Sequence, residues 1–120
     1  MKTENFYDSK IEIISEATDF AEFKCHIGSK NIFFDGHFPL KPIFPAVGQM
    51  RLIEHLLSCW KYSPCKVNEI SKSRFLNAIL PDSIVDLKIE KLNENSFSWQ
   101  FFDHSKVFSR GNFIIEKTVE

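Results

Sequence analysis

Apolar residues recur at every second position over most of this chain, and at helical spacing over one stretch. Ile11, Ile13 and Ile14 mark a first strand over residues 10–15. Ala21, Phe23, Cys25 and Ile27 then alternate with Glu22, Lys24 and His26, which predicts a half-buried strand over Phe20–Ile27. Gly28-Ser29-Lys30-Asn31 is a turn. Residues 35–45 hold Gly36, Pro39, Pro42 and Pro45 and are incompatible with a regular element. Pro45 suits the first position of a helix, where the missing N–H is not needed. Val47, Met50, Ile53, Leu56, Leu57 and Trp60 follow at helical spacing, so one amphipathic helix runs to about Tyr62, and Pro64 stops it.

The second half returns to period two. Residues 67–78 alternate loosely, and Leu80-Pro81-Asp82-Ser83 turns the chain. Val85, Leu87 and Ile89 form the inner side of one strand, and Phe97, Trp99 and Phe101 that of the next, with Asn93-Glu94-Asn95 between them. Asp103-His104-Ser105 turns again, and residues 107–116 make the closing strand. Strands before one long helix and a meander after it define an α+β fold with a mostly antiparallel sheet. The 120 residues fit one domain, 1–120, without repeats or linkers.

Composition narrows the function classes. The net charge of −1 and pI of about 6.4 give no reason to expect nucleic acid or an anionic membrane as partner. No segment is long and apolar enough to span a membrane, and the amino terminus lacks the apolar core of a secretion signal. The three cysteines, Cys25, Cys59 and Cys65, have neither disulfide nor zinc spacing, so reduced thiols in a cytoplasmic protein are expected. No cofactor motif and no metal cluster is present. Thirteen phenylalanines are unusual for this length and suit an apolar interior or an apolar pocket.

The segment with chemistry is FDGHFPLKPIFPAVGQMRLIEHLL, from Phe34 to Leu57. Gly36-His37-Phe38-Pro39, Lys41-Pro42-Ile43, then Pro45 and Val47 before a helix resemble the 3-hydroxyacyl-[acyl carrier protein] dehydratases. Gln49 resembles the subgroup serving aryl polyene synthesis. Ser73-Arg74-Phe75 and Leu80-Pro81-Asp82 resemble the later strand and turn of that family. The resemblance implies a hotdog fold, a curved antiparallel sheet wrapped around the helix. It also implies paired subunits with sites at their interface, and an acyl carrier protein or other acyl thioester as partner. It assigns His37 as the base that removes the proton next to the thioester carbonyl, and the Ala46 amide as the donor to the thioester oxygen. The residue types suit the task independently. Histidine titrates near working pH, and a helix start offers free N–H groups to a developing enolate.

The chain departs from the pattern at the acid. The family's carboxylate stands fourteen residues after the histidine, which here is Arg51. Arginine keeps its proton and cannot act as general acid, though it can hydrogen-bond a substrate. Glu54, three residues on and about 4.5 Å further along the axis, is the alternative acid; a solvated Arg51–Glu54 surface pair is the more ordinary expectation. Ala46 replaces a family glycine, and Pro81-Asp82-Ser83 replaces Pro-Gly-Asp. Asp35 alternates away from His37 in an extended backbone. His26 is expected in solvent, His55 near Arg51, and His104 in a turn. Phe33, Phe34, Phe38, Phe44 and Phe75 are either core residues or the lining of an acyl tunnel. Ala46, Val47 and Arg51 are the other candidates for substrate contact. Lys41, Lys72 and Arg74 are candidates to meet an acidic carrier.

Four functions remain open. The chain is a dehydratase releasing water from a carrier-bound 3-hydroxyacyl group to leave a trans-2-enoyl thioester, as a homodimer or a heterodimer with another hotdog subunit. It is an incomplete subunit whose partner supplies the acid. It is an acyl-binding module without turnover. Or it is a thioesterase.

Overall fold

The structure, a computed structural model, describes residues 3–34, 42–60 and 65–117. The base candidate His37 and its neighbours Asp35, Phe38 and Lys41 lie outside the described residues, as do Tyr62 and Pro64. Seven strands form one sheet: β1 (Thr3–Phe6), β2 (Ser9–Glu16), β3 (Phe20–Ile27), β4 (Cys65–Phe75), β5 (Ser83–Lys91), β6 (Ser96–Phe102) and β7 (Val107–Lys117). Their spatial order is β1-β2-β3-β5-β6-β7-β4, and every neighbouring pair is antiparallel. The 3-10 turn Ile32–Phe34 and helix α1 (Ala46–Trp60) are inserted between β3 and β4. The result is the expected hotdog arrangement, a curved antiparallel sheet with one helix packed against it.

The alternation read from the sequence is the alternation of burial. Ala21, Phe23, Cys25 and Ile27 of β3 are fully buried, as are Val85, Leu87 and Ile89 of β5, while their polar neighbours face outward. Phe97, Trp99 and Phe101 of β6 complete the inner side, with Phe97 and Phe113 stacked at 5.4 Å. Helix α1 closes this core with Leu52, Ile53, Leu56 and Leu57, all fully buried. Each such side chain contributes about 1.5–3 kcal/mol on leaving water, so the helix is held by its apolar face more than by its intrinsic propensity. Pro45 is not inside the helix. It stands just before it, and its carbonyl accepts the first helical N–H, from Gln49, at 3.0 Å. No helix among the described residues is long and apolar enough to cross a membrane.

Strand β1 was not anticipated. Thr-Glu-Asn-Phe carries a single buried anchor, Phe6, which has no periodic signal. Its ring lies 5.9 Å from that of Phe33 and 5.5 Å from that of His55. Buried Asn31 ties this hairpin to the 3-10 turn, donating to Ser9 Oγ at 3.0 Å and accepting the Phe33 N–H at 3.0 Å. The strand expected over residues 67–78 is displaced, because it begins at Cys65 and ends at Phe75. Two irregularities interrupt its pairing with β7, and Lys72 in the second has a left-handed φ of 53°. Such bulges break the period-two pattern from which boundaries are read.

Candidate active site at the start of helix α1

The chain leaves the described core at Phe34 and is held again at Phe44, whose ring lies 5.9 Å from that of Phe34. Phe44 is clamped through its backbone. Its N–H donates to the Ile79 carbonyl at 2.8 Å, and its carbonyl accepts from Gln49 Nε2 at 3.2 Å. The helix therefore starts at a fixed place. The amides of Ala46, Val47 and Gly48 have no acceptor within the helix. The first turn carries no acidic residue, so the positive end of the helix dipole is left for a ligand oxygen.

Two grooves flank this helix start, and Ala46 lines both. The first, about 470 Å³, is apolar and is bounded by Ile43, Phe44, Gln49, Phe75 and Leu76. The second, about 340 Å³, lies between α1 and β4 and is bounded by Val47, Met50, Arg51, Val67 and Ile70. β4 is the end strand of the sheet, so its outer edge has no neighbour among the described residues. Its inward-facing Ile70 and Phe75 are 45% and 47% exposed, and Val47 on the facing helix is 48% exposed.

Arg51 and Glu54 meet in the second groove, with Nη1 donating to Oε1 at 3.0 Å. The expected pair forms, but only its Arg51 side is solvated. Arg51 is 55% exposed, but Glu54 is only 14% exposed, and its Oε2 accepts the Val67 N–H of β4 at 2.7 Å. Both carboxylate oxygens of Glu54 are thus occupied, and the side chain joins helix to sheet. Glu54 is the one carboxylate on either groove among the described residues. The Cys65 thiol nearby is pushed up from its ordinary pKa by burial, and the Glu54 charge adds to the shift.

The other candidates separate. Phe75 lines the apolar groove, its ring 6.2 Å from that of Trp99. Phe34 does not line it. It is buried against Phe44, because the 3-10 turn directs it into the core, and Phe33 packs there too, 6.1 Å from Phe44. A tunnel walled by all the phenylalanines is therefore not what the described residues form. His55 contacts Phe6 and lies 3.7 Å from Cys59 Sγ, one turn after Arg51 on the same helix. His26 is exposed, 3.8 Å from Asp82. Arg74 and Arg110 stand directly opposite each other on β4 and β7 and share a polar pocket with Lys72. No ion pair engages these three among the described residues. No group of His, Cys, Asp or Glu suited to a metal occurs among them either.

The periodic reading missed a buried polar connection beneath the site. Trp99 Nε1 donates to Ser109 Oγ at 3.0 Å, and Ser109 Oγ donates to Gln49 Oε1 at 2.7 Å. Gln49 is 4% exposed and Ser109 fully buried. The one available signal was a polar residue, Gln49, one turn before apolar Ile53.

A curved antiparallel sheet packed against one helix defines a hotdog protein. The family model for the ApeI dehydratase, an ApeI-like family, matches residues 13–112, and the chain belongs to that family. It is 29% identical over 96 residues to the 3-hydroxyacyl-[acyl-carrier-protein] dehydratase FabZ of Methylobacterium nodulans, a match covering 68% of this chain and 60% of that one. Among solved structures it resembles the dehydratase heterocomplex ApeI:P from Xenorhabdus doucetiae, with a TM-score of 0.74, 21% identity, and coverage of 96% of this chain and 98% of that one. A hypothetical thioesterase from Streptococcus pneumoniae has the same fold, with a TM-score of 0.61, 12% identity, and 92% of each chain covered.

Proposed function

We propose that this protein is a subunit of a 3-hydroxyacyl-[acyl carrier protein] dehydratase whose general acid comes from a second hotdog subunit. The observation that carries the reading is the state of position 51. A cation stands where dehydration needs a proton donor, and the nearest carboxylate, Glu54, is committed to Arg51 and to the Val67 N–H.

In this reading His37 takes the proton from the carbon next to the thioester carbonyl. The Ala46 amide holds the enolate oxygen that forms. The C–O bond at carbon 3 then breaks, and the hydroxyl leaves as water with a proton from the partner's acid, giving the trans-2-enoyl thioester. Ala46, Val47, Phe38 and Phe75 contact the acyl group, and Arg51 hydrogen-bonds the substrate or the partner's carboxylate. The open edge of β4 and the groove between it and α1 are the surface for the second subunit, since a strand of 11 residues with no outer neighbour among the described residues invites pairing. Likeness to a dehydratase heterocomplex and to a carrier-dependent dehydratase supports both the heteromer and an acyl carrier protein as partner. Lys72 and Arg74, with Arg110, suit such an acidic carrier. A cytoplasmic location is part of this reading.

The test is a mass assay on a 3-hydroxyacyl carrier substrate, with the protein alone and with a homologous hotdog subunit. Loss of water only in the mixture is expected. Full activity alone overturns the shared site. Release of the free acid identifies a thioesterase, and binding without turnover in every mixture identifies an acyl-binding module.

A further inference from the structure

Gln49 is the one polar side chain in the core that reaches both the sheet and the helix start. The orientation of its amide follows from its neighbours. The indole N–H of Trp99 can only donate, so Ser109 Oγ must accept from it and spend its own proton on the next atom. That atom is therefore an acceptor, Gln49 Oε1, at 2.7 Å. The Nε2 group is left for the Phe44 carbonyl, at 3.2 Å. Four groups in series thus link β6, β7, the helix and Phe44, two residues before the helix.

We infer that Gln49 is a positioning residue for the thioester carbonyl: the Trp99–Ser109–Gln49 chain turns the Phe44 carbonyl inward, so that only N–H groups of the helix start face the apolar groove. The inference rests on the proposed role of the Ala46 amide. Three features of the site support it. Phe44, Ala46 and Gln49 all border the groove. Phe44 is held at both backbone atoms, its N–H by Ile79 and its carbonyl by Gln49. The chain is rigidly seated, because Ser109 is fully buried and Trp99 is 2% exposed. A carbonyl released from Gln49 would place an acceptor dipole beside the substrate oxygen and oppose the charge that develops there. The effect belongs to the transition state more than to ground-state binding, and so falls on kcat.

The experiment uses octanoyl pantetheine labelled with carbon-13 at the carbonyl, which lacks a 3-hydroxyl and is not dehydrated. Difference infrared spectra report the polarisation of its carbonyl when bound. The native protein should move the band to lower frequency. Gln49→Met, close in volume but without the amide, and Ser109→Ala, the milder change, should return it toward the free value. Ser109→Thr, which keeps the hydroxyl, should restore the displacement. In the reconstituted dehydratase the first two variants should lower kcat roughly 10- to 100-fold with little change in KM. A band displaced equally in native protein and all variants overturns the role of Gln49 and leaves the Ala46 reading standing. A band not displaced in the native protein, or no binding of the probe, overturns both. Should Gln49→Met fail to fold, Ser109→Ala and Trp99→Phe report the same relation.

Discussion

Glu54 Oε2 accepts the backbone N–H of Val67 at 2.7 Å, so a helix carboxylate serves as a pairing partner for the edge strand. This contact falls at the irregularity between Val67 and Glu69, where the ladder with β7 is interrupted. It gives an acceptor to an N–H of the end strand, whose outer side has no neighbour among the described residues. Glu54→Leu leaves a part-buried N–H without an acceptor and is expected to cost about 1–3 kcal/mol. Glu54→Gln keeps an oxygen for Val67 and loses only the partly exposed ion pair, a change of about 0–1 kcal/mol. Urea unfolding of both variants checks the difference. Equal losses would show that the Val67 contact carries no stability.

On the proposed reading, Arg51 occupies the position of the acid. Arg51→Glu puts a carboxylate back at that position and is expected to give the protein alone a dehydration rate at least about 10-fold above the unmodified chain. It also places two acids three residues apart on α1, where the native pair is 3.0 Å across. A stability loss of about 0.5 kcal/mol is expected from that repulsion. A variant that folds, binds the substrate and gains no rate would show that the site lacks more than an acid.

Much of the fold was legible because burial in a sheet is periodic. β3 and β6 follow their alternation to within a residue, β5 keeps its alternation but starts two residues earlier, at Ser83, and α1 follows its apolar face. β1 was not legible, because one anchor, Phe6, makes no pattern. The ends of β4 were misjudged because bulges shift the phase of its side chains. Within the site, the spacing from His37 identified Arg51 as the anomaly. The sequence could not show that Glu54 reaches β4, since Val67 lies thirteen residues further along the chain, beyond Pro64. The Gln49–Ser109 bond spans sixty residues, and its one sign in the sequence was a polar residue, Gln49, in an apolar helix. The resemblance to a family supplied what periodicity could not, the roles proposed for His37 and for the helix start.

Gly111 of β7 shows why the bulge in β4 and the buried indole go together. A Cβ there would come 2.6 and 2.7 Å from ring atoms of Trp99 and 2.9 Å from the Ser73 Cα. Trp99 cannot move aside cheaply, because its N–H is held by Ser109 at 3.0 Å and the ring is buried. Gly111→Ala is therefore expected to cost about 1–3 kcal/mol through overpacking. Thermal and urea unfolding check this, with a loss below about 0.5 kcal/mol showing that strand and ring relax together.

Cys25 gives the fold a dependence on alkaline pH. The residue is fully buried in β3, and burial pushes its thiol far above the ordinary value of 9.0, with the charge of Asp86 adding to the shift. In the unfolded chain the thiol ionises as pH passes that ordinary value, whereas in the folded chain it keeps its proton. The raised folded pKa means that its stabilising contribution is complete below about pH 8.5 and is lost as pH rises beyond it. Cys65 is shifted in the same direction, so the two thiols act together. Unfolding free energies measured under reducing conditions should be level from pH 7 to 8 and fall toward pH 10. Cys25→Ala should lower stability at neutral pH by about 1 kcal/mol and reduce the alkaline slope by up to about 1.4 kcal/mol per pH unit, the share of one proton. An unchanged slope would show that Cys25 is reached by hydroxide in the folded state. Iodoacetamide offers an independent check, since Cys25 should label only as fast as the protein opens.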